Sequence, residues 1–102
     1  MKKSKEAKLK KHGWKIGSVK ELLGLSDEEA AYVELKASLS EHLHRKRVAQ
    51  HLSQHDLARK LRSSQSRIAK MEKGDPTVSI DLLVRSLFVL GTSRHELSKV
   101  IS

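Results

Sequence analysis

A short polar stretch in the second half of the chain carries side chains that can donate hydrogen bonds to bases and phosphates. Gln65, Ser66, Arg67 and Lys70 follow closely on one another. Residues three and four positions apart share a helix face, so Ser66, Arg67 and Lys70 would project together from a helix. Glutamine, arginine and lysine are side chains that read base edges in the major groove. The chemistry that this stretch indicates is recognition of a duplex nucleic acid.

The six histidines raise the question of a metal site. His42 and His44 are two positions apart, and on a helix such residues do not face one another. His51 and His55 are four positions apart, but a helix break is predicted between them at residues 52–53. Because neither spacing allows two histidines to bind one metal ion, we predict no metal site.

A second group of residues has the residue types of a catalytic triad but not the arrangement that a triad requires. Ser53, His55 and Asp56 are nearly consecutive, so on one helix they cannot converge on a substrate. The chain has no cysteine, which excludes a disulfide scaffold and cysteine-ligated metal. We therefore predict no catalytic residue, no enzyme activity and no cofactor, and no small-molecule substrate is evident.

The charge of the chain is concentrated in two blocks. Lysine and arginine number 21 and the acidic residues 12, which gives a net charge of +9. Residues 1–15 carry +6, residues 16–42 carry −4, residues 43–73 carry +7, and residues 74–102 are neutral. A polyanion is the expected partner of such a chain. The second basic block contains the polar stretch described above.

Other partners and locations are less consistent with the composition. Three aromatic residues are too few for a platform on which single-stranded bases would stack. The longest apolar run has four residues, Leu87 to Leu90, so no membrane-spanning helix is predicted. The basic N-terminus has no apolar core of a secretory signal. We expect a cytoplasmic protein, associated with the bacterial nucleoid through DNA.

Helical patterns surround the polar stretch on both sides. Apolar residues recur at helical spacing, and no stretch alternates with a period of two. A serine hydroxyl can cap a helix start, and a glutamate three positions later can complete a capping box, as at Ser18, Ser26 and Ser93. On these signals we predict an all-α fold with a leader helix at 18–24, a long helix at about 27–50, and helices beginning at Ser53, Ser64, Ser79 and Ser93.

The chain divides, on this interpretation, into three parts. Residues 1–15 form a disordered basic arm, since apolar periodicity is almost absent there. Residues 16–37 are a leader and the start of the first long helix. Residues 38–102 form a DNA-binding domain, whose motif occupies residues 53–73.

The motif consists of two short helices joined by a three-residue turn, LSQHDLARKLRSSQSRIAKMEKG. Five apolar residues would hold the two helices together, and the smallest of them, Ala58, lies where the helices must approach closely: Leu57, Ala58, Leu61, Ile68 and Met71. Such a pair needs a further helix to cover it. The outward face of the second helix then carries the polar stretch, as in a helix that enters the major groove.

These motifs resemble the XRE family of helix-turn-helix proteins, the lambda-repressor-like or Cro/CI-type DNA-binding domain. The resemblance covers residues 38–101 and rests on LSQHDLARKL, SQSRIAKMEKG and SIDLLVRSLFVLG, followed by a short last helix. It implies a five-helix lambda-repressor-like domain, preceded here by the arm and the leader helix. The segment GWKIGSVKELLGLSDEEAAYVELKASL resembles the leader of antitoxin-like members, which pair with RelE-type or HigB-type toxins.

The resemblance implies roles for individual residues. The positions that match base-reading residues are Gln65, Ser66 and Lys70, with Arg67 able to reach a base or a phosphate. Gln54 matches a position that binds a DNA phosphate and braces the recognition helix, and Ser64 matches a phosphate-contacting position. Two cations of this chain, Arg62 in the turn and Lys73 on the outward face, are also assigned to phosphate. Arg47 and Glu72 match an ion pair that ties the first helix to the recognition helix.

The chain departs from the family pattern at two places. Arg62 stands where the turn usually has glycine, and a positive φ at a residue other than glycine costs about 1–2 kcal/mol. Either the turn adjusts or Arg62 is retained for a phosphate contact. The loop after the recognition helix, residues 74–76, contains Asp75, which would repel phosphate.

Together these features predict a sequence-specific regulator that binds double-stranded DNA as a homodimer and represses transcription. The repressed genes could be its own toxin–antitoxin operon. The excess apolar residues Phe88, Leu97, Val100 and Ile101 are the candidate dimer seam. The alternative is an antitoxin or protein-interaction module whose leader neutralises a toxin partner, with DNA binding secondary. A basic protein that binds RNA or a membrane surface through its arm is a further alternative. The sequence leaves the operator, any inducer, and repression versus activation open.

Overall fold

The computed structural model describes residue 24 and residues 26–102, and these residues form five α-helices without a β-strand. The helices are α1 (Asp27–Ala49), α2 (Gln54–Leu61), α3 (Gln65–Lys73), α4 (Ile80–Val89) and α5 (Arg94–Ile101). The all-α prediction and its five-helix arrangement are confirmed. The predicted arm, residues 1–15, and the leader helix, apart from Gly24, lie outside the described residues.

A serine precedes each of the five helices. Its hydroxyl accepts a hydrogen bond from the backbone N–H three positions later, and so satisfies one of the donors that a helix start leaves unpaired. The five serines are Ser26, Ser53, Ser64, Ser79 and Ser93. The predicted helix starts are therefore confirmed.

Two of these starts are reciprocal capping boxes. Glu29 accepts from the backbone N–H of Ser26 at 3.0 Å, as predicted, and Asp56 accepts from that of Ser53 at 2.9 Å. These backbone hydrogen bonds hold the pKa of both carboxyls below the usual range. The sequence analysis did not predict the box at Ser53, because the residue three positions after the serine is aspartate rather than glutamate. At Ser93, the carboxylate of Glu96 accepts from Nζ of Lys46 at 2.8 Å, and this contact, with a smaller contribution from the backbone N–H of Ser93, holds the pKa of Glu96 below its usual value.

The helix ends explain how the turn of the motif is made. Gly74 and Gly91 have φ values of +71° and +88°, as expected for glycines that end helices. Arg62 has a φ of +54° and a ψ of +48°, so the turn between α2 and α3 keeps the left-handed conformation without glycine. His51, after α1, is also left-handed, with a φ of +60°. The turn has therefore not adjusted around Arg62.

The described chain separates into two units at Ser38, within α1. In the unit formed by residues 39–102, α2 packs against α3 and α4. Its core is built from apolar residues that are at most 4% exposed: Leu39, Leu43, Leu57, Ala58, Ile68, Met71, Val78, Leu83, Leu87 and Leu90. The apolar residues predicted to lock the motif are thus buried, except Leu61, which is half-buried.

The second half of α1 is tied by polar contacts to other helices of this unit. Nζ of Lys46 binds Glu96 at the start of α5 at 2.8 Å, and the side chain of Gln50 donates to the carbonyl of Leu90 at 2.6 Å. In the first half, Tyr32 is 51% exposed. Among the described helices, none is long and apolar enough to cross a membrane.

Candidate nucleic-acid interface

Helix α3 presents one polar face and one buried face. Ile68 and Met71 are completely buried. The opposite side is exposed and carries five side chains that the sequence singled out: Gln65, Ser66, Arg67, Lys70 and Lys73. The structure therefore brings these residues together on one short helix, with three cations and no carboxylate among them.

The start of α3 is exposed together with this face. Ser64 precedes the helix, and its hydroxyl accepts from the backbone N–H of Arg67 at 3.1 Å. A helix start carries partial positive charge from its unpaired N–H groups, which favours a phosphate there. Gln65 and Ser66 occupy the first turn, so they lie where an anion would approach.

The connection between α2 and α3 is short and well bonded. The N–H of Ser63 donates to the carbonyl of Ala58 at 2.8 Å, and that of Arg62 donates to Arg59 at 3.2 Å. Ala58 is 3% exposed, and its small side chain lets the two helices approach closely. The side chain of Arg62 is exposed, beside the start of α3.

The end of α3 is held by an ion pair with α1. Nε of Arg47 lies 2.6 Å from Oε2 of Glu72, and Nη2 lies 3.1 Å from Oε1. The side chains are 11% and 5% exposed respectively, and this two-point geometry is the strong form of an arginine–carboxylate contact. The third guanidinium nitrogen, Nη1, donates to the carbonyl of Leu52 at 2.6 Å, between α1 and α2.

Two further side chains donate to the same carboxylate. Nε2 of Gln54 lies 3.3 Å from Oε1 of Glu72, and Nδ1 of His44 lies 2.8 Å from the same oxygen. Gln54 at the start of α2 therefore contacts the residue that ties α3 to α1. The sequence analysis did not assign His44 to this cluster. Its only signal was the three-residue spacing from Arg47, which places both on one side of α1.

These contacts keep the carboxylate of Glu72 ionised. Burial alone would raise the pKa of Glu72, but hydrogen bonds from Arg47, His44 and Gln54 outweigh it and hold the pKa below the usual value. The same contact with Glu72 raises the pKa of Arg47. The cluster therefore fixes α1, α2 and α3 relative to one another around one buried negative charge.

The loop after α3 is closed on itself. Oδ1 of Asp75 accepts from the backbone N–H of Thr77 at 2.8 Å and also binds the Thr77 hydroxyl. The Asp75 carboxylate thus stabilises the turn that leads from Gly74 toward α4. It remains a negative group next to a cationic helix face.

The histidines do not form a metal site in the described part of the chain, where no group of three or more possible ligands is present. His51 and His55 are separated by the break between α1 and α2. Nε2 of His42 lies 3.4 Å from the carboxylate of Glu96, beside Lys46.

Comparison with protein families matches residues 43–97, more than half of the chain, to a family described as helix-turn-helix. The match spans the last seven residues of α1, the whole motif, α4 and the start of α5. Comparison with curated proteins and with solved structures gave no match. With the two-helix motif and its exposed polar helix in place, the chain belongs to the XRE-type helix-turn-helix family of DNA-binding regulators.

Proposed function

We propose that this protein is a sequence-specific transcriptional repressor that inserts α3 into the major groove of double-stranded DNA. The observation that carries this proposal is the division of α3 into a buried apolar side and an exposed cationic side. A major groove admits one α-helix, whose first residues meet the base edges. The exposed start of α3 suits that approach.

The residues on this face have different proposed roles. Gln65, Ser66 and Lys70 read bases, and Arg67 reaches a base or a phosphate. A good bidentate contact of this kind discriminates against the wrong base by about 1–3 kcal/mol. The phosphate contacts are assigned to Gln54, Ser64, Arg62 and Lys73. Gln54 can serve DNA and Glu72 together, because its amide group carries two N–H donors and an acceptor.

Base reading is tested by comparing specific and random DNA. A binding site is first selected from a random duplex library with the full chain. Gln65→Ala should then weaken binding to the selected site by about 1–3 kcal/mol and leave binding to random DNA nearly unchanged. Lys73→Ala, the matched phosphate variant, should weaken both equally and reduce the slope of log affinity against log salt by about 0.9. Equal loss of both affinities in Gln65→Ala would contradict the assignment.

We further propose that the protein binds its operator as a homodimer. Phe88 and Ile101 are 44% and 51% exposed, and Leu97 and Val100 are half-buried, so apolar surface remains on α4 and α5. A symmetric dimer would place two recognition helices about 34 Å apart, one turn of DNA. Sedimentation should show that Phe88→Glu shifts the chain toward monomer. Val48→Glu, at an equally exposed residue of α1, should not. A wild-type monomer on DNA would contradict the dimer.

A second candidate function is neutralisation of a toxin by the leader, residues 16–37, in a cytoplasmic toxin–antitoxin pair whose operon the protein represses. It is favoured by an apolar patch at the start of α1, where exposed Tyr32 and half-buried Val33 lie beside Glu28 and Glu29. If the product of a neighbouring gene is that partner, Tyr32→Asp should abolish its binding and leave DNA affinity unchanged. Retained binding by Tyr32→Asp would argue against this surface.

A further inference from the structure

A cavity of about 430 Å³ opens beside the turn between α2 and α3. It is bounded by the end of α2, the turn itself, one side of α3 and one side of α4. Its residues are Lys60, Leu61, Arg62, Ser63, Arg67, Met71, Leu82, Arg85, Ser86 and Val89. Its volume lies within the range of about 300–1,000 Å³ that small-molecule sites occupy.

Part of the cavity lining is apolar. Leu61 and Met71 come from the motif helices, and Leu82 and Val89 come from α4. Leu82, Arg85, Ser86 and Val89 are spaced by three and four positions, so one side of α4 forms a continuous wall. Met71 is completely buried, but a ligand with an apolar body would cover the parts of Leu61, Leu82 and Val89 that otherwise meet water.

The edge of the cavity is cationic. Lys60, Arg62, Arg67 and Arg85 all line it, all are exposed, and no acidic side chain is among the lining residues. Arg85 has a weak exposed contact with Asp81 at 3.6 Å. No ion pair involves Lys60, Arg62 or Arg67 within the part of the chain that the structure describes. Four like charges around one opening give it a positive potential that attracts an anion.

We propose that this cavity binds a small carboxylate with an apolar body, an aliphatic or aromatic acid, which competes with DNA for Arg62 and Arg67. The apolar body covers the exposed parts of Leu61, Leu82 and Val89, and the carboxylate accepts from the arginines at the edge. An inorganic phosphate would leave the apolar lining uncovered, and a neutral apolar molecule would leave the cations unused. The cationic edge and the apolar part of the lining together therefore favour a carboxylate with an apolar body.

The competition rests on the proposed function, because Arg62 and Arg67 are also assigned to DNA there. An arginine that binds the carboxylate has fewer N–H donors for a phosphate or a base. Since linkage between two ligands is reciprocal, DNA should weaken carboxylate binding by the same factor. Binding of the carboxylate in the absence of DNA does not depend on that function.

The binding is tested with sodium decanoate on the full chain without DNA, below the concentration at which decanoate forms micelles. Backbone amide NMR shifts should move at the lining residues, and decanol, the neutral analogue, should bind about tenfold more weakly or not at all. Val89→Glu places a negative charge in the cavity and should abolish the shifts. Val48→Glu is the matched control, because both valines are about half exposed and Val48 lies on α1.

A second pair of variants keeps the test independent of the first. Arg85→Gln should weaken decanoate binding about tenfold, near the lower end of the loss expected for one charge-assisted hydrogen bond, because Arg85 is exposed. Arg45→Gln, which removes an exposed arginine in a similar pair with Glu41 four positions away, should leave it unchanged. Equal binding by all four variants, shifts at other surfaces, or equal affinity for decanol would overturn the proposed site.

The competition has its own measurement. Decanoate should lower the affinity of the wild type for its selected DNA site, measured by fluorescence anisotropy, and should have much less effect on Val89→Glu. Unchanged DNA affinity at saturating decanoate would overturn the competition. A chain that binds decanoate at this cavity but no DNA would contradict the proposed function instead, so the two failures are distinguishable.

Discussion

Removing the guanidinium of Arg47 should destabilise the fold through the carboxylate that it leaves behind. The variant Arg47→Met keeps the apolar stem and length of the side chain but takes away both contacts to Glu72, at 2.6 and 3.1 Å. It also removes the bond to the carbonyl of Leu52. Glu72, which is 5% exposed, then keeps its charge with only Gln54 and His44 as donors.

The expected magnitude follows from this burial. Removing one partner of a buried ion pair costs about 3–5 kcal/mol. Because two donors remain on Glu72 and the side chain of His44 is 52% exposed to solvent, we expect the lower end, about 3 kcal/mol. Glu72→Gln removes the charge but keeps one acceptor for Arg47, and should cost about 2 kcal/mol. If the two effects were independent, the double variant would cost about 5 kcal/mol. Because it leaves no buried charge without a partner, we expect a cost of only about 3 kcal/mol.

The assay is urea unfolding of the full chain, followed by circular dichroism for the wild type, both single variants and the double variant. The double-mutant cycle should give a coupling energy of about 2 kcal/mol. The exposed pair of Arg45 and Glu41, whose side chains are 68% and 52% exposed, provides the matched cycle. Its coupling should stay below about 0.5 kcal/mol. Additive effects at Arg47 and Glu72, or equal coupling in both pairs, would refute the reasoning.

Three further measurements follow from the same structure. Arg62→Gly should raise the free energy of unfolding by about 1 kcal/mol, because glycine adopts a positive φ without the strain that a larger residue has there. If the Arg62 side chain binds phosphate, the same variant should lower DNA affinity. A lower free energy of unfolding would show that the turn is not strained. Because the pKa of Glu72 lies below its ordinary value of 4.5, the unfolded chain takes up a proton that the native state does not, so unfolding in urea should become easier as the pH falls below 4.5. Glu72→Gln should reduce this acid dependence, and an unchanged dependence would assign it to other carboxyls. Ser53→Ala should lower the free energy of unfolding by about 1 kcal/mol, whereas Ser98→Ala, which removes an exposed hydroxyl bond within α5, should change it little; equal effects would argue against the cap.

Local signals predicted the helices because the physics that starts and ends them is local. Each helix follows a serine whose hydroxyl needs only the next turn of backbone, and Gly74 ends α3 through its own left-handed conformation. The exposed polar face of α3 was predictable for the same reason, since helix periodicity alone separates Ile68 and Met71 from Ser66 and Lys70.

The contacts around Glu72 and the cavity were less accessible to sequence reasoning. His44 and Gln54 reach Glu72 across 28 and 18 positions of the chain, and nothing local distinguishes them from other exposed polar residues. Only the resemblance to a known family pointed to Arg47. The cavity requires α4 to lie at a particular distance from α2 and α3, which depends on tertiary packing rather than on a pattern within one helix.

Because α3 buries little area, the Glu72 cluster has a structural role in holding this helix in place. Only Ile68 and Met71 of this nine-residue helix are fully buried, so apolar packing alone gives it few constraints on rotation and sliding. Glu72 adds a directional constraint near the end of the helix, while the turn at Arg62 constrains its start. Gln65 lies seven positions before Glu72, about 10 Å along the axis. A change at Glu72 should therefore move the reading residues and weaken specific DNA binding without any contact between Glu72 and DNA.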